Sequence, residues 1–248
     1  MVRRVMHVTA ILLLALAGCA APKQQTSVGY VPPAGNHKVV VMRPDIAVDV
    51  LTVGGLLERR EDWTITARDN VLASLQAQQA KRGGQTQIAI TRESAGGEDA
   101  TVIALNQLHQ AVGQSVMVHK FSPIGALPTK KDVFDWTLGE LAVQYGAQSG
   151  YDYAFFLYAR DSFSSGGRAA LQAVGALGCI VGVCVIPPGG MQQAFASLVE
   201  LKTGKLVWFN HVLSSTGDIR TQAGADALVE KLLEGMNPEP QAKKKKKA

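Results

Sequence analysis

Hydrophobic and polar positions alternate in a way that predicts strands and helices in turn along most of the chain. Val-rich or alternating runs at 38–42, 47–53 and 86–91 predict three strands. Apolar residues spaced by three or four positions predict two helices between and after them. The first helical face comprises Ala67, Val71, Leu72 and Leu75, and the second comprises Leu105, Leu108, Val112 and Val116.

The second half of the chain continues the same alternation. A third helix is predicted to begin near Asp132, where a cap residue precedes an apolar face of Phe134, Leu138, Leu141 and Tyr145. Residues 151–159 are nearly all aromatic or aliphatic, which favours a central strand buried on both faces. Residues 191–201 and 205–213 flank Thr203-Gly204, and this pattern predicts an antiparallel hairpin.

A final helix is predicted after Asp218, which can serve as its cap. Its apolar face comprises Ala225, Leu228, Val229, Leu232, Leu233 and Met236. Strands and helices therefore interleave, and the expected fold is α/β: a single domain with a mixed sheet flanked by helices, an antiparallel hairpin in the C-terminal half and a final helix.

The amino terminus has the order of charge and hydrophobicity found in export signals. Arg3 and Arg4 precede an uncharged run at 8–17 that is too short to span a bilayer. The following Leu16-Ala17-Gly18-Cys19 resembles the lipobox of bacterial lipoproteins. That resemblance implies cleavage between Gly18 and Cys19 and lipidation of Cys19. The alternative is an ordinary signal peptide with an incidental cysteine.

These features divide the chain into four parts: a signal peptide at 1–18, a flexible tether at 19–36, an α/β domain at 37–236 and a disordered lysine-rich tail at 237–248. Ala20 and Ala21 follow the cysteine, and we expect a lipid anchor on the periplasmic face of the outer membrane. The lysines at 243–247 are a further candidate for contact with anionic lipid or acidic cell-wall polymers.

Charge argues against a nucleic-acid partner. The chain has 25 basic and 20 acidic residues, but two basic residues lie in the signal and five in the tail. The remaining body has about 18 basic and 20 acidic residues, so the basic groove expected of a nucleic-acid binder is missing.

The most unusual internal feature is an almost continuous apolar run at 169–187, interrupted only by Gln172. A packed hairpin or helix that covers the sheet is one interpretation. Membrane contact and self-association are the others, since exposed apolar patches mark interaction sites. The candidate interaction residues are Ala169, Leu171, Val174, Leu177, Ile180 and Val183.

Cys179 and Cys184 lie within this run. Residues five apart in one helix are beyond disulfide reach, whereas in a turn they can pair. We expect two buried free thiols, with a disulfide as the alternative. We expect no metal site at these cysteines, because no histidine is near them in sequence. We also expect that the protein has no cofactor.

Catalytic motifs are missing from the sequence, which has no Gly-x-Ser-x-Gly, His-Glu-x-x-His or Gly-x-x-x-x-Gly-Lys run. We therefore expect that the protein is not an enzyme. The histidines at 37, 109, 119 and 211 are scattered, and we expect surface or satisfied core positions for them. Asp152, Arg160 and Asp161 lie near the ends of the central strand, where they either bind a ligand or are simply solvated.

Two segments carry a resemblance to a known group. They are Tyr151-Asp152-Tyr153-Ala154-Phe155-Phe156-Leu157 and the hairpin from Ala196 to Trp208, which contains Glu200-Leu201-Lys202-Thr203-Gly204. Together with the element order, they resemble the TolB amino-terminal domain and CsgG-like group of envelope lipoproteins. The resemblance implies a periplasmic domain that binds or assembles rather than catalyses.

Two function classes follow. The first is a lipid-anchored, non-catalytic binding or assembly module, with an envelope protein partner or further copies of itself. The alternative is a subunit of an oligomeric secretion or export channel in the outer membrane. Membrane strands alternate polar and apolar residues over about 9 to 11 positions. Residues 169–187 do not alternate, so the first class is favoured.

Overall fold

The computed structural model describes residues 25–26, 37–81, 87–90, 99–122, 124–130, 132–180, 182, 184–213 and 216–236. Gly18 and Cys19, where signal cleavage and lipidation are predicted, lie outside the described residues. So do most of the predicted tether and the whole lysine-rich tail.

One mixed sheet forms the centre of the protein. Its eight described strands are β1 (Gln25–Thr26), β2 (Lys38–Val41), β3 (Asp45–Leu51), β4 (Leu57–Arg59), β5 (Gln87–Ile90), β6 (Tyr153–Ser164), β7 (Gln192–Glu200) and β8 (Lys205–Val212). The strand order is β1-β8-β7-β6-β2-β5, while β3 pairs with β6 and β4 pairs with β3. β7 and β8 are antiparallel, which confirms the predicted hairpin.

The long strand β6 organises the sheet. Its first part pairs in parallel with β2, its second part pairs in parallel with β3, and its other edge pairs antiparallel with β7. Residues 154–159 are all buried. The prediction of a central strand buried on both faces is confirmed, because helices cover the two sides to which its residues alternately point.

The described residues include five α-helices: α1 (Glu61–Lys81), α2 (Ala100–Val116), α3 (Gly139–Ser149), α4 (Gly166–Ile180) and α5 (Gln222–Leu233). A π-helical turn at Met117–Phe121 extends α2, and a 3₁₀ turn lies at Pro128–Lys130. The apolar faces of α1 and α5 share one core cluster with Phe155 and Leu157. Those of α2 and α3 share a second cluster with Phe156 and Tyr158 on the other side of the sheet. The predicted fold class, a single α/β domain with a final helix, is confirmed.

The sequence predicted that the third helix begins near Asp132, but the helix begins at Gly139. The preceding segment is bonded to the turn of the β7–β8 hairpin: Leu206 donates its amide to Trp136 O at 2.9 Å, and Leu138 donates to Gly204 O at 2.8 Å. Phe134 and Leu138 are buried because this non-helical segment lies against the core, so their apolar spacing did not mark a helix.

The final helix has Thr221 as its cap instead of Asp218. The Thr221 hydroxyl accepts a hydrogen bond from the amide of Gly224 at 3.2 Å. The Asp218 carboxylate lies one turn earlier, where it accepts from the Arg220 amide at 2.9 Å and from the Arg220 guanidinium at 2.7 and 2.8 Å. The predicted apolar face of this helix lies in the core, with Leu228 and Leu232 fully buried.

β1 places two residues of the predicted tether in the sheet. Gln25 lies opposite Phe209 and Thr26 opposite Trp208, in antiparallel register at the edge of β8. The chain is thus attached to the domain well before His37, where we expected the folded part to begin.

Candidate functional site: an apolar hairpin at one end of the sheet

The predicted interaction segment forms a hairpin that stands off the end of the sheet. We call α4 and the returning segment 184–191 the apolar hairpin. The helix follows β6 directly, and the Ser165 hydroxyl accepts a hydrogen bond from the Arg168 amide at 3.2 Å, as a helix cap does. The returning segment leads into β7 at Gln192.

Arg168 fixes the base of the apolar hairpin. Its Nε and Nη2 donate to Pro188 O at 3.2 and 2.9 Å, and its Nη1 donates to Val53 O at 3.2 Å. It is the one buried residue of α4, all of which is described. Its guanidinium joins the helix, the returning segment and the residues that follow β3. The hairpin therefore leaves the body of the domain, which is the sheet with α1, α2, α3 and α5, in a fixed direction.

The two arms stay in contact beyond the base. Gln172 Nε2 donates to Pro187 O at 3.1 Å. At Gly175 the helix meets the Val185 backbone so closely that a Cβ would overlap the Val185 carbonyl oxygen. The arms can approach this far only because position 175 has no side chain.

A disulfide between Cys179 and Cys184 closes the tip, with the two Cα atoms 4.0 Å apart. The sequence favoured two buried free thiols, and the structure differs on both points, because the sulfurs are joined and Cys184 is exposed. The physical reason is that α4 ends at Ile180. The pair therefore spans a turn at Gly182, whose positive φ of 89° suits a glycine, and the Gly182 amide donates to Cys179 O at 3.3 Å.

The apolar side chains of α4 become more exposed toward this tip. Leu171 is 42% exposed, Val174 and Leu177 are each 64% exposed, and Ile180 is 80% exposed. Ala169 is also exposed, whereas Val183 lies outside the described residues. The interpretation that this segment covers the sheet is wrong, since α1, α2, α3 and α5 cover the two faces and neither core cluster contains a residue of α4.

Further apolar side chains extend this surface. Val185, Ile186 and Met191 of the returning segment are exposed. Leu56 and Leu57 are exposed near Val53, whose carbonyl oxygen accepts a hydrogen bond from Arg168. From Ala169 to Met191 the sequence contains no charged residue. The arrangement is suited to contact with another apolar surface, and not to acid–base chemistry.

The polar residues predicted near the ends of β6 do not come together. Asp152 lies at the start of the strand, where its carboxylate accepts from the Lys38 amide at 2.9 Å. Arg160 pairs with Asp45 at 2.9 Å near the other end. Asp161 is buried and accepts from Gln192 Nε2 at 2.8 Å, and burial raises its pKa to about 6. No shared ligand site is built from these three side chains, because each is held by its own neighbour.

The histidines are dispersed as well. His109 is buried, bonded through Nε2 to Ser197 Oγ at 2.9 Å and stacked on Phe156, and burial lowers its pKa to about 3. His119 Nδ1 lies 2.7 Å from Gly125 O. Within the described ranges, no three His, Cys, Asp or Glu side chains are grouped closely enough to hold a metal ion.

Comparison with known proteins gives a weak structural likeness and no family. No family model matches the chain, and neither does a curated protein sequence. Two solved structures of the PelC dodecamer from Paraburkholderia phytofirmans, one of them a point variant, each align over 86% of this chain and 96% of theirs, at 13% and 11% identity and a TM-score of 0.35. The LpoB C-terminal domain from Salmonella enterica aligns over 75% of this chain and 85% of its own, at 15% identity and a TM-score of 0.24.

Scores at this level carry no argument about function, and the resemblance to the TolB and CsgG-like group stays a prediction. Among the helices that the structure describes, none has the length and apolar character needed to cross a membrane.

Proposed function

We propose that the protein is a lipid-anchored, non-catalytic binding and assembly module of the cell envelope, and that the apolar hairpin is its contact surface. The observation that carries the proposal is the exposure of four apolar side chains of α4, Leu171, Val174, Leu177 and Ile180, which are between 42% and 80% exposed. Soluble monomers rarely expose contiguous apolar patches of this kind unless the patch binds something.

The energetics favour an occupied surface. Burying a Leu, Val or Ile side chain completely contributes roughly 1.5 to 3 kcal/mol. The four outward side chains of α4 are between 42% and 80% exposed, so covering them would recover about half or more of that amount for each. The sum is several kcal/mol, before the losses of freedom that accompany association.

Rigidity of the apolar hairpin keeps those losses small. Arg168 fixes its base, the Gln172 amide fixes its middle and the Cys179–Cys184 disulfide closes its tip. A surface that is already ordered before contact loses little conformational entropy when it binds. This is a reason to interpret the hairpin as a binding element and not as a loose loop.

The lipid anchor completes the proposal. Lipidation of Cys19, inferred from the lipobox, would keep the domain at a membrane surface, where envelope components are within reach of the hairpin. The channel alternative requires long alternating strands in this region. It is less supported, since residues 166–180 form a helix.

A photo-crosslinking amino acid at Leu177 of the full, lipidated protein tests the contact. We expect adducts in intact cell envelopes from Leu177, and few from a control at Ile124, which is also aliphatic, is 97% exposed and is not part of the hairpin. Equal yields at the two positions would contradict the proposal.

The mass of the mature amino terminus tests the anchor separately, because an unlipidated Cys19 would remove that part of the proposal.

A further inference from the structure

The direction of β1 indicates where the predicted lipid anchor leaves the domain. The apolar hairpin connects the end of β6 to the start of β7, and Val212 at the end of β8 lies opposite Ala194 near that start. We call this the hairpin end of the sheet. The opposite end carries the β7–β8 turn, in which Lys202 is exposed.

β8 runs toward the hairpin end, and β1 is antiparallel to it. β1 therefore runs away from the hairpin end, and its first residue, Gln25, is the one nearer to that end. Gln25 is opposite Phe209, three residues before Val212, which corresponds to about 10 Å along a strand. Cys19 is six residues before Gln25, so at most about 22 Å of chain separates them.

We infer that the apolar hairpin inserts its tip into the hydrocarbon of the same membrane leaflet that holds the lipidated Cys19. The inference rests on the proposed function, because it names the occupant of the proposed contact surface. Anchor and hairpin leave the domain at one end of the sheet, and a single membrane surface can receive both.

The chemistry of the apolar hairpin fits lipid better than protein. Protein interfaces draw their strongest contacts from Trp, Tyr and Arg at the centre of a polar rim. Residues 169–191 contain no aromatic residue and no charged one. Hydrocarbon requires only that a surface be apolar, and this surface offers neither the aromatic anchors nor the polar rim that a protein partner would use.

Three backbone carbonyl groups of the apolar hairpin are bonded as a dry environment requires. Polar backbone groups in hydrocarbon must be bonded within the protein. A helix satisfies most of its own, and the returning segment contains Pro187 and Pro188, which have no amide hydrogen. Their carbonyl oxygens accept from Gln172 and Arg168. The carbonyl of Cys179 near the tip accepts from the Gly182 amide.

The dimensions fit insertion without crossing. The 15 residues of α4 span about 22 Å at 1.5 Å each. Half of a bilayer with its headgroups is about 20 to 22 Å thick. The increase in exposure from Leu171 to Ile180 follows the same axis, with the most exposed side chain at the tip.

Depth-dependent quenching of tryptophan fluorescence tests the inference. Full-length lipidated protein is reconstituted into vesicles of phosphatidylethanolamine and phosphatidylglycerol with or without brominated acyl chains. The variants are Ile180→Trp at the tip, Val174→Trp halfway along α4 and Lys202→Trp at the opposite end of the sheet. The native Trp63, Trp136 and Trp208 provide the same background in each variant.

We expect brominated lipid to remove at least half of the fluorescence added by Ile180→Trp, less of that added by Val174→Trp and almost none of that added by Lys202→Trp. Emission that is blue-shifted at position 180 but unaffected by bromine would show contact with protein and would overturn the inference. Water-like emission at position 180 would overturn it too.

The anchor is read out independently, by the mass of the mature protein and by its sedimentation with vesicles. A lipidated, vesicle-bound protein whose position 180 is not quenched refutes insertion and leaves the proposed function standing. A protein without lipid on Cys19 refutes the anchor in the proposed function, whatever the quenching shows.

Discussion

The helices α4 and α5 are similar in length and apolar content, yet the apolar side chains of α5 are buried and those of α4 are exposed. α5 buries Leu228 and Leu232 completely against the sheet, while α4 leaves Leu177 and Ile180 exposed beyond the strand ends. α5 also contains Asp226, Glu230 and Lys231, which form the polar positions of an amphipathic helix. Beyond Arg168 at its base, α4 has no charged residue.

The difference teaches that apolar spacing shows that a helix has something to bury, but not what will cover it. The sequence signal that separates the two helices is the missing polar face of α4. A helix with a charged outer face is built to cover a core from water, whereas one without such a face has no side suited to water. α4 has no such face and lies outside the core. This is why we look for the partner of α4 outside the chain.

Truncating one leucine in each helix should give the largest contrast in stability. We expect Leu228→Ala to lower the free energy of unfolding by about 3 kcal/mol, because it removes buried methyl groups and leaves a cavity. Leu177→Ala, the matched control in α4, should change it by less than about 0.5 kcal/mol, since its side chain is mostly exposed. Urea unfolding of the two variants measures both. A similar loss at both positions would mean that α4 is packed against the body.

The sequence predicted the elements of the body well for a physical reason. The pattern of β6 and the face of α5 are dictated by the core they fill, so burial can be inferred from residue type alone. The start of α3 was wrong because Phe134 and Leu138 are apolar in an extended segment held by Gly204 and Leu206, residues distant in sequence. Contacts of that kind leave no local pattern.

The candidate site was predicted only as a segment. The apolar run at 169–187 marked it, but its orientation depends on Arg168 bonding to Pro188 O and Val53 O, which no local pattern indicates. The Cys179–Cys184 pair could not be assigned from spacing, because it depends on where α4 ends. The pairing of Gln25 with Phe209 joins residues that are far apart in the chain.

Acid should weaken the body through His109, a buried titratable group of a kind that the apolar hairpin lacks. Burial lowers the pKa of His109 to about 3 from its ordinary value of 6.5. The unfolded chain therefore binds a proton that the folded protein does not bind, and stability is lost as pH falls below 6.5. Between pH 7.5 and pH 5 the loss should be about 2 kcal/mol.

The check is urea unfolding of the wild type and of His109→Gln at several pH values, with the difference between them attributed to this side chain. The variant should lack the His109 contribution to the slope. In a companion NMR titration of the wild type, the His109 ring signals should stay constant above pH 5. A ring that titrates near pH 6.5 would refute its burial.

Asp161 should act in the opposite direction, and more weakly. Burial raises its pKa to about 6 from 3.8, so the folded protein retains a proton that the unfolded chain has lost. The sign follows: stability due to this group falls as pH rises from about 4 to 6. Asp161→Asn keeps an acceptor for Gln192 Nε2 and removes the titration.

Relative to the wild type, Asp161→Asn should therefore gain on the order of 1 kcal/mol at pH 7.5 compared with pH 4.5, after allowance for solvent near the carboxylate. Thermal or urea unfolding at the two pH values measures the gain. An equal difference between variant and wild type at both values would show that Asp161 is ionised over the whole range.

Removing the disulfide should have the smallest effect on the body. The bond joins residues only five apart in a hairpin that lies outside the core clusters, so the loop can open while the sheet and its helices remain folded. We expect Cys179→Ser with Cys184→Ser to change the free energy of unfolding of the body by less than about 0.5 kcal/mol. Protease cleavage within the hairpin should become roughly tenfold faster, because the disulfide restrains local opening of the hairpin and its removal ends that restraint. A decrease of about 2 kcal/mol in the free energy of unfolding would mean instead that α4 unfolds together with the sheet. The two helices α4 and α5 would then differ in their exposure but not in whether they unfold with the sheet.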